Sequence, residues 1–229
     1  MAKKKDSNRT EEQMQAVEGA LSNTEQFIED NQKILTTIVA VIVIAVLGYF
    51  SYQKFYLKPK EDEAQSQMFM AQKYFEQDSL KLALNGDGQY PGFLDIADEY
   101  SMTHAGNLSN YYAGVIYLKQ GKYEQAISYL EDFDGDETIV QPWAIGKIGD
   151  AYMEMGQMEQ AVDYYLEAAK EQKNNFTSPH FLMKAGMTYE VMDKPGKAHE
   201  MYKKIKNEYP DSKEYGEIDK YIARTESKS

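Results

Sequence analysis

Three aspartates that alternate along one short segment, Asp132, Asp134 and Asp136, are the side chains most suggestive of metal binding. Alternating carboxylates begin the calcium-binding loop of the EF-hand, which also needs glycine at its sixth position and glutamate at its twelfth. Here the glycine is fourth, at Gly135, and Trp143 is twelfth. We therefore expect an acidic, solvent-exposed turn at this segment and not a calcium site.

The other short motifs that could carry chemistry are incomplete. His199-Glu200 begins like the zinc-protease helix motif, but Lys203 occupies the position of its second histidine. The glycines of Gly86-Asp87-Gly88 lack the preceding strand that a dinucleotide-binding turn requires. The sequence also has no phosphate-binding loop and no G-x-S-x-G motif. We predict that the protein is not an enzyme and has no catalytic residues, cofactor, metal or small-molecule substrate.

The charge balance argues against two classes of partner. The 229 residues carry a formal net charge of -12, and from Glu61 onward there are 17 basic and 30 acidic residues. A negative field of this size disfavours nucleic acid and anionic lipid head groups, whereas it suits basic partners. The absence of cysteine excludes disulfides and thiolate metal sites, but it does not decide the compartment.

An apolar segment at residues 34–52 predicts a transmembrane helix. It contains no charged residue, and at about 1.5 Å of rise per residue it is long enough for the hydrocarbon core of a bilayer, roughly 30 Å thick. Tyr49, Phe50 and Tyr52 gather at one end, as in an interfacial aromatic belt. A cleaved signal peptide would have a shorter apolar run that ends in small residues, so we predict a retained anchor.

The N-terminal tail, residues 1–33, is predicted to contain a juxtamembrane helix, because Met14, Val17 and Leu21 recur near helical spacing. This helix could lie on the membrane surface or dock onto a membrane partner. The orientation of the span stays open at this point. One lysine precedes the span closely and three follow it, which would place the C-terminal side in the cytoplasm, whereas the whole tail carries five basic residues.

The rest of the chain contains three copies of one residue pattern, G-x2-Y-x8-A. The alanines are 35 and 37 residues apart, close to the tetratricopeptide period of about 34. The copies are Gly114, Tyr117 and Ala126; Gly149, Tyr152 and Ala161; and Gly186, Tyr189 and Ala198. The pattern predicts that the small residues allow paired helices to approach closely and that the tyrosine fills the space between them.

Turn residues divide each copy into two helices. Gly121 and Gly156 mark the turn in the first two copies, and Pro195-Gly196 stands near it in the third. This part of the chain resembles tetratricopeptide repeat (TPR) proteins. The resemblance implies an all-α fold that serves as an interaction scaffold far more often than as an enzyme.

The predicted fold class is therefore all-α: an N-terminal transmembrane helix followed by a TPR α-solenoid with a C-terminal capping helix. A linker at 53–63 would join the span to a repeat domain at 64–229. Within that domain we predict a divergent repeat at 64–105, repeats at 107–140, 142–176 and 179–210, and a capping helix at 211–226. The capping helix would begin with a capping box between Asp211 and Glu214.

In TPR proteins the first helix of each repeat lines a concave groove. The resemblance implies that eleven residues at the corresponding positions of this chain are candidates for partner binding. They are mostly apolar, and their methionines suit varied partners. The charged clamp of some relatives is not expected, because Tyr111, Gly146 and Met183 replace its lysines. The predicted groove consists of Leu108, Tyr111, Val115 and Leu118, of Trp143, Asp150 and Met153, and of His180, Met183, Met187 and Glu190.

The whole plan is similar to that of bacterial single-pass TPR proteins of the YfgM type, which are ancillary subunits of the Sec translocon. The resemblance implies a cytoplasmic N-terminus, an inner-membrane span and periplasmic repeats. It also implies Sec translocon subunits, a chaperone or prolyl isomerase, and nascent secretory polypeptides as partners. An assembly subunit of another envelope machine, for secretion or cytochrome maturation, is the alternative.

Overall fold

The computed structural model describes residues 29–135 and 139–226. The chain divides into two compact units, of which the first ends at Lys58 and the second begins at Pro59. The juxtamembrane helix predicted around Met14, Val17 and Leu21 falls outside the described residues, as does Asp136 of the aspartate series.

The first unit contains the apolar helix. Helix α1 runs Gln32–Tyr52 and is followed by a π-helical turn at Gln53–Leu57. None of the side chains of α1 is buried. Among the described residues, one helical stretch is long and apolar enough, by length and composition, to cross a membrane, and this stretch includes α1.

The described part of the second unit consists of helices joined by short turns. From Lys58 onward the helices are α2 Lys58–Glu76, α3 Leu80–Asn85, α4 Phe93–Glu99, α5 His104–Lys119, α6 Tyr123–Glu131, α7 Val140–Glu154, α8 Met158–Lys170, α9 Thr177–Val191, α10 Pro195–Glu208 and α11 Ile218–Glu226, with a 3-10 turn at Glu214–Glu217 before α11. Each helix from α5 to α11 packs mainly on its neighbours in sequence, which is the arrangement of a solenoid.

Two segments differ from the predicted outline. Residues 53–63, predicted to be a linker, are helical, since they consist of the π-helical turn and the first residues of α2. The carboxylate of Glu61, in the first turn of α2, accepts a hydrogen bond from the backbone N–H of His104 at 2.6 Å. The capping box between Asp211 and Glu214 does not start the last helix. Instead the hydroxyl of Ser212 accepts from the N–H of Tyr215 at 3.3 Å, and the chain forms a 3-10 turn before α11 begins.

The turns inside the three helix pairs share one hydrogen-bond geometry. The N–H of Lys122 donates to the carbonyl of Tyr117, and the same bond joins Gln157 to Tyr152 and Lys194 to Tyr189, each at 2.9 Å. This bond closes a Schellman turn, which needs a residue with positive φ. Gly121 (φ 72°) and Gly156 (φ 75°) supply it in two turns. In the third pair Asp193 (φ 54°) supplies it, two residues before Pro195-Gly196, which stands near the turn as predicted.

The paired helices meet at the glycine of each copy, and a side chain of the second helix fills the space. A Cβ on Gly149 would lie 2.7 Å from Cε1 of Tyr165 and 3.1 Å from the carbonyl oxygen of Ala161. The equivalent side chain is Leu130 opposite Gly114 and Tyr202 opposite Gly186. The alanines of the pattern are completely buried. The prediction of a close approach therefore holds, but the filling side chain comes from the second helix.

The tyrosines of the G-x2-Y pattern have a different role from the predicted one. Tyr117 stacks on Tyr129 with ring centroids 5.4 Å apart, and Tyr152 stacks on Tyr164 at 5.2 Å. Tyr189 lies beneath the ammonium group of Lys197, at 5.5 Å from its ring centroid. These rings therefore pack beside the close approach, against the second helix of their own pair.

Gly149→Leu tests this packing, because its side chain has no room beside Tyr165. Overpacking of this kind costs about 1–3 kcal/mol, and the damage should spread to neighbouring pairs. Urea unfolding of the full chain in detergent, followed by circular dichroism, should show a lower midpoint. Gly196→Leu is the matched control, since a Cβ there meets nothing within 4 Å. Equal midpoints for the two variants would contradict the assigned helix pairing.

Candidate functional site

The eleven residues of the predicted groove lie on three successive first helices, α5, α7 and α9. Ten of them are half-buried, and Met187 is 46% exposed. The neighbouring position Gly146 is buried instead, because the ring of Phe181 occupies the place of its missing side chain. The predicted residues therefore reach solvent while resting on the core beneath them.

Trp143 forms an aromatic cluster with the third helix pair. Its ring centroid lies 5.0 Å from that of His180, 5.3 Å from Phe181 and 6.0 Å from Phe176. Phe181 is buried, whereas Phe176 is 62% exposed. The ring of Tyr111, another groove position, pairs instead with Phe133 at 5.5 Å.

A polar cluster, the Asp150 cluster, lies between the second and third pairs. The carboxylate of Asp150 binds the ammonium groups of Lys184 at 2.6 Å and Lys147 at 2.9 Å, and it accepts a hydrogen bond from the hydroxyl of Tyr165 at 2.9 Å. The side chain of Asp150 is only 18% exposed. Lys184 also lies over the ring of Tyr165. Residues from α7, α8 and α9 thus converge on one carboxylate.

Burial alone would raise the pKa of the Asp150 carboxyl, but the hydrogen bond from Lys184 and the charges of both lysines outweigh it and hold that pKa below its usual value. The pKa of the Tyr165 hydroxyl is raised, first by burial and then by the adjacent carboxylate. At neutral pH Asp150 is therefore negatively charged, and Tyr165 is a neutral hydrogen-bond donor to it.

A similar arrangement, the Glu190 cluster, follows between the third pair and the last helix. The carboxylate of Glu190 accepts a hydrogen bond from the hydroxyl of Tyr202 at 2.5 Å and binds the guanidinium of Arg224 at 2.6 Å. Here too a first-helix carboxylate joins the tyrosine of its own second helix to a cation on the following helix. The groove positions Asp150 and Glu190 therefore hold successive helices together.

The C-terminal end of the predicted groove is partly covered. Besides the pairing of Glu190 with Arg224, the ring of His180 lies 3.8 Å from the carboxylate of Glu214 in the 3-10 turn. Burial, with a further contribution from the charge of Lys184, lowers the pKa of His180. His180 is therefore mainly neutral near pH 7, and this contact is not a strong ion pair there.

An open cleft of about 640 Å³ lies at the C-terminal ends of α5 and α7. Three predicted groove residues, Leu118, Asp150 and Met153, line it. Sequence reasoning missed Tyr123, Glu154, Tyr165 and Lys184, which also line it, because they lie outside the transferred positions. A signal was available for Tyr165, since it stands four residues after the repeat alanine, as Tyr202 does in the next copy.

Within the described ranges, no group of three His, Cys, Asp or Glu side chains is placed to hold a metal ion. In the same residues every buried side-chain nitrogen and oxygen has a hydrogen-bond partner. What the arrangement offers is a half-buried stripe with aromatic, methionine and charged groups, which is suited to binding another macromolecule.

Comparison with known proteins identifies the repeats. Family profiles described as tetratricopeptide repeat match residues 109–133, 144–175 and 181–212. A search of curated proteins returns no match. These three segments correspond to the three helix pairs of the structure and support a TPR protein.

Two of the similar solved structures support the same fold. TPR-like repeats of a Podosopora anserina protein described as a kinesin light chain, and a single-substitution variant of the same protein, each align with a TM-score of 0.54 at 14% identity, covering 73% of this chain and 87% of theirs. A crystal structure of MamA aligns with a TM-score of 0.47 at 18% identity, covering 69% of this chain and 93% of that one. The kinesin light chain alignments show the fold alone.

The Asp150 cluster predicts a specific acid sensitivity. Because the folded pKa of Asp150 lies below its ordinary value of 3.8, its contribution to stability is present above that value and is lost as the pH falls through the folded pKa. Asp150→Asn should lower the free energy of unfolding at pH 7 by about 1–3 kcal/mol. The difference from the unmodified chain should shrink in acid.

Urea unfolding at several pH values between neutrality and about 3 would measure this difference. Glu167→Gln is the control, because this carboxylate is exposed on α8. A stability difference for Asp150→Asn that stays constant across the whole range would show that the charge of Asp150 does not hold the helices together.

Proposed function

We propose that this chain, whose tetratricopeptide repeats indicate a protein-protein interaction scaffold, is anchored in the bacterial inner membrane and holds partner proteins at its periplasmic side. The observation that carries the proposal is the partly exposed stripe on α9 and the residue just before it. Met187 is 46% exposed, Val191 61% and Phe176 62%, and all three are apolar. Exposed apolar side chains grouped on one element are typical of a surface that a partner covers.

The anchoring part of the proposal rests on α1. Its side chains are unburied along the whole helix, so the apolar segment has no protein core of its own to enter within the described residues. A lipid bilayer would cover such a surface, and the tyrosines and phenylalanine at its C-terminal end would lie at the head-group level. A retained span would keep the repeat domain close to any machine in the same membrane.

The choice of partners rests on the resemblance to YfgM-type ancillary subunits. By this resemblance the partners would be Sec translocon subunits, a periplasmic chaperone or prolyl isomerase, and emerging secretory polypeptides. The methionines of the predicted groove, Met153, Met183 and Met187, support a surface that adapts to varied sequences, because unbranched thioether side chains repack readily.

Co-purification from mild detergent tests the partner assignment. Recovery of Sec subunits with the full chain would support the translocon role. Recovery of secretion or cytochrome-maturation components without Sec subunits would favour the alternative, an assembly subunit of another envelope complex. In both cases the repeats would act as a scaffold, so the experiment separates the two roles and leaves the scaffold function common to them.

The proposed orientation predicts that the repeats are accessible from outside the cytoplasm. Protease added to intact spheroplasts should digest the domain after Pro59, and only the N-terminal tail and the span should survive. Immunoblotting with an antibody against the C-terminal domain measures the outcome. A cytoplasmic protein serves as the control for lysis. A repeat domain that is digested only after lysis would overturn both the orientation and the periplasmic partners.

The exposed ring of Phe176 is predicted to contribute to partner capture. Removing a large aromatic group from an interface commonly costs about 2 kcal/mol when the group is a hot spot, a roughly thirtyfold loss of affinity. Phe176→Ala should therefore deplete the co-purified partner without lowering the unfolding midpoint, since the ring is mostly exposed. Phe69→Ala, which removes an equally exposed ring from α2, is the matched control. Equal recovery with both variants would contradict the assigned surface.

A further inference from the structure

The cleft at the C-terminal ends of α5 and α7 has, among its described lining residues, one charged side chain without a counter-ion. Asp150 and Lys184 are both part of its lining and form an ion pair at 2.6 Å, and Asp150 also binds Lys147, which lies outside the lining, at 2.9 Å. The ammonium group of Lys119 binds Asp78, which follows α2, at 3.3 Å, and it lies over the ring of Phe75 in α2. The remaining charge is that of Glu154.

Glu154 has no ion pair or hydrogen bond from its side chain within the part of the chain that the structure describes. It is exposed at the last position of α7. The partial negative charge of a helix C-terminus makes a carboxylate there unfavourable and a cation favourable. The last turn of α7 contains no basic residue. The chain therefore presents an uncompensated negative end on this side of the cleft.

The neighbouring first helix adds to this negative potential. Helix α5 also ends at the cleft, since Leu118, Lys119 and Gln120 line it. Its one basic residue in the last turn is Lys119, whose ammonium group is engaged elsewhere. Two helix C-termini and the Glu154 carboxylate thus face the same open space. This arrangement favours a positive charge brought by a partner.

The walls of the cleft suit the aliphatic part of a basic side chain. Leu118, Tyr123 and Met153 are half-buried and line the cleft. Lysine and arginine place their methylene groups along apolar surface while the charged group reaches a polar partner. The volume of about 640 Å³ exceeds that of one side chain, so residues flanking the basic one would also enter.

We propose that this cleft binds an arginine or lysine side chain of an extended partner segment, with the cation at Glu154 and its aliphatic part between Leu118 and Met153. The proposal rests on the scaffold function and names the chemistry of the segment that the scaffold holds. The negative charge of the domain would favour the approach of such segments, because acidic residues outnumber basic ones by 13 (30 against 17) from Glu61 onward.

A displayed library of random short peptides, selected on the full chain in detergent, tests the chemistry directly. Selected peptides should share one arginine or lysine beside apolar residues. The affinity of the best peptide is then measured by fluorescence anisotropy with a labelled copy. A second labelled peptide carries an uncharged residue in place of the basic one, citrulline for arginine or norleucine for lysine, and its affinity is measured in the same way. For the unmodified chain the uncharged copy should bind about tenfold more weakly.

Glu154→Gln should cause the same loss for the original peptide and no further loss for the uncharged one, because both changes remove the same ion pair. Glu167→Gln, which removes an exposed carboxylate from α8, should leave both affinities unchanged. Selection of acidic peptides, selection of none, or independent effects of the two changes would overturn the proposal. If partner capture still depends on Phe176 in that case, the scaffold function stands and only the cleft assignment fails.

Discussion

The close approach of paired helices at a glycine is the contact on which the repeat domain depends. Where Gly149 faces Tyr165, a single methyl group would already collide with the ring. The ring in turn stacks on Phe181 of the next pair, with centroids 6.4 Å apart. One small residue therefore sets the spacing within its own pair and also determines what the following pair packs against.

The side chain that fills this space decides how strongly successive pairs are joined. A tyrosine brings a hydroxyl to the first helix, where Asp150 or Glu190 accepts its hydrogen bond and also binds a cation from the following helix. In the first pair the equivalent side chain is Leu130, which cannot donate a hydrogen bond. The open cleft begins at this first pair and extends across the second pair to Lys184 of the third.

Much of the helical outline could be predicted from the sequence, because its signals are local. Positive-φ glycines such as Gly121 and Gly156 end a helix, and the spacing of the alanines repeats with the helix pair. In the third copy the local signal gave the place of the turn and not the residue that forms it. Asp193 provides the turn, and Pro195-Gly196 begins α10, because proline fits the first turn of a helix. The sequence predicted the candidate site only as a row of positions along the first helices. The family pattern could not show that Asp150 forms an ion pair with Lys184, because that contact depends on how neighbouring pairs are rotated against one another.

The sequence by itself determined the helix pairs, their period and the apolar segment, because each follows from interactions between residues close together in the chain. Only the tertiary structure decided which charged side chains form ion pairs with one another and which do not. Lys119 and Lys184 look alike in the sequence, as cations on first helices, but one is held by Asp78 and the other by Asp150. Within the described ranges no helix brings a cation to Glu154, and this depends on three-dimensional packing that joins residues far apart in the chain.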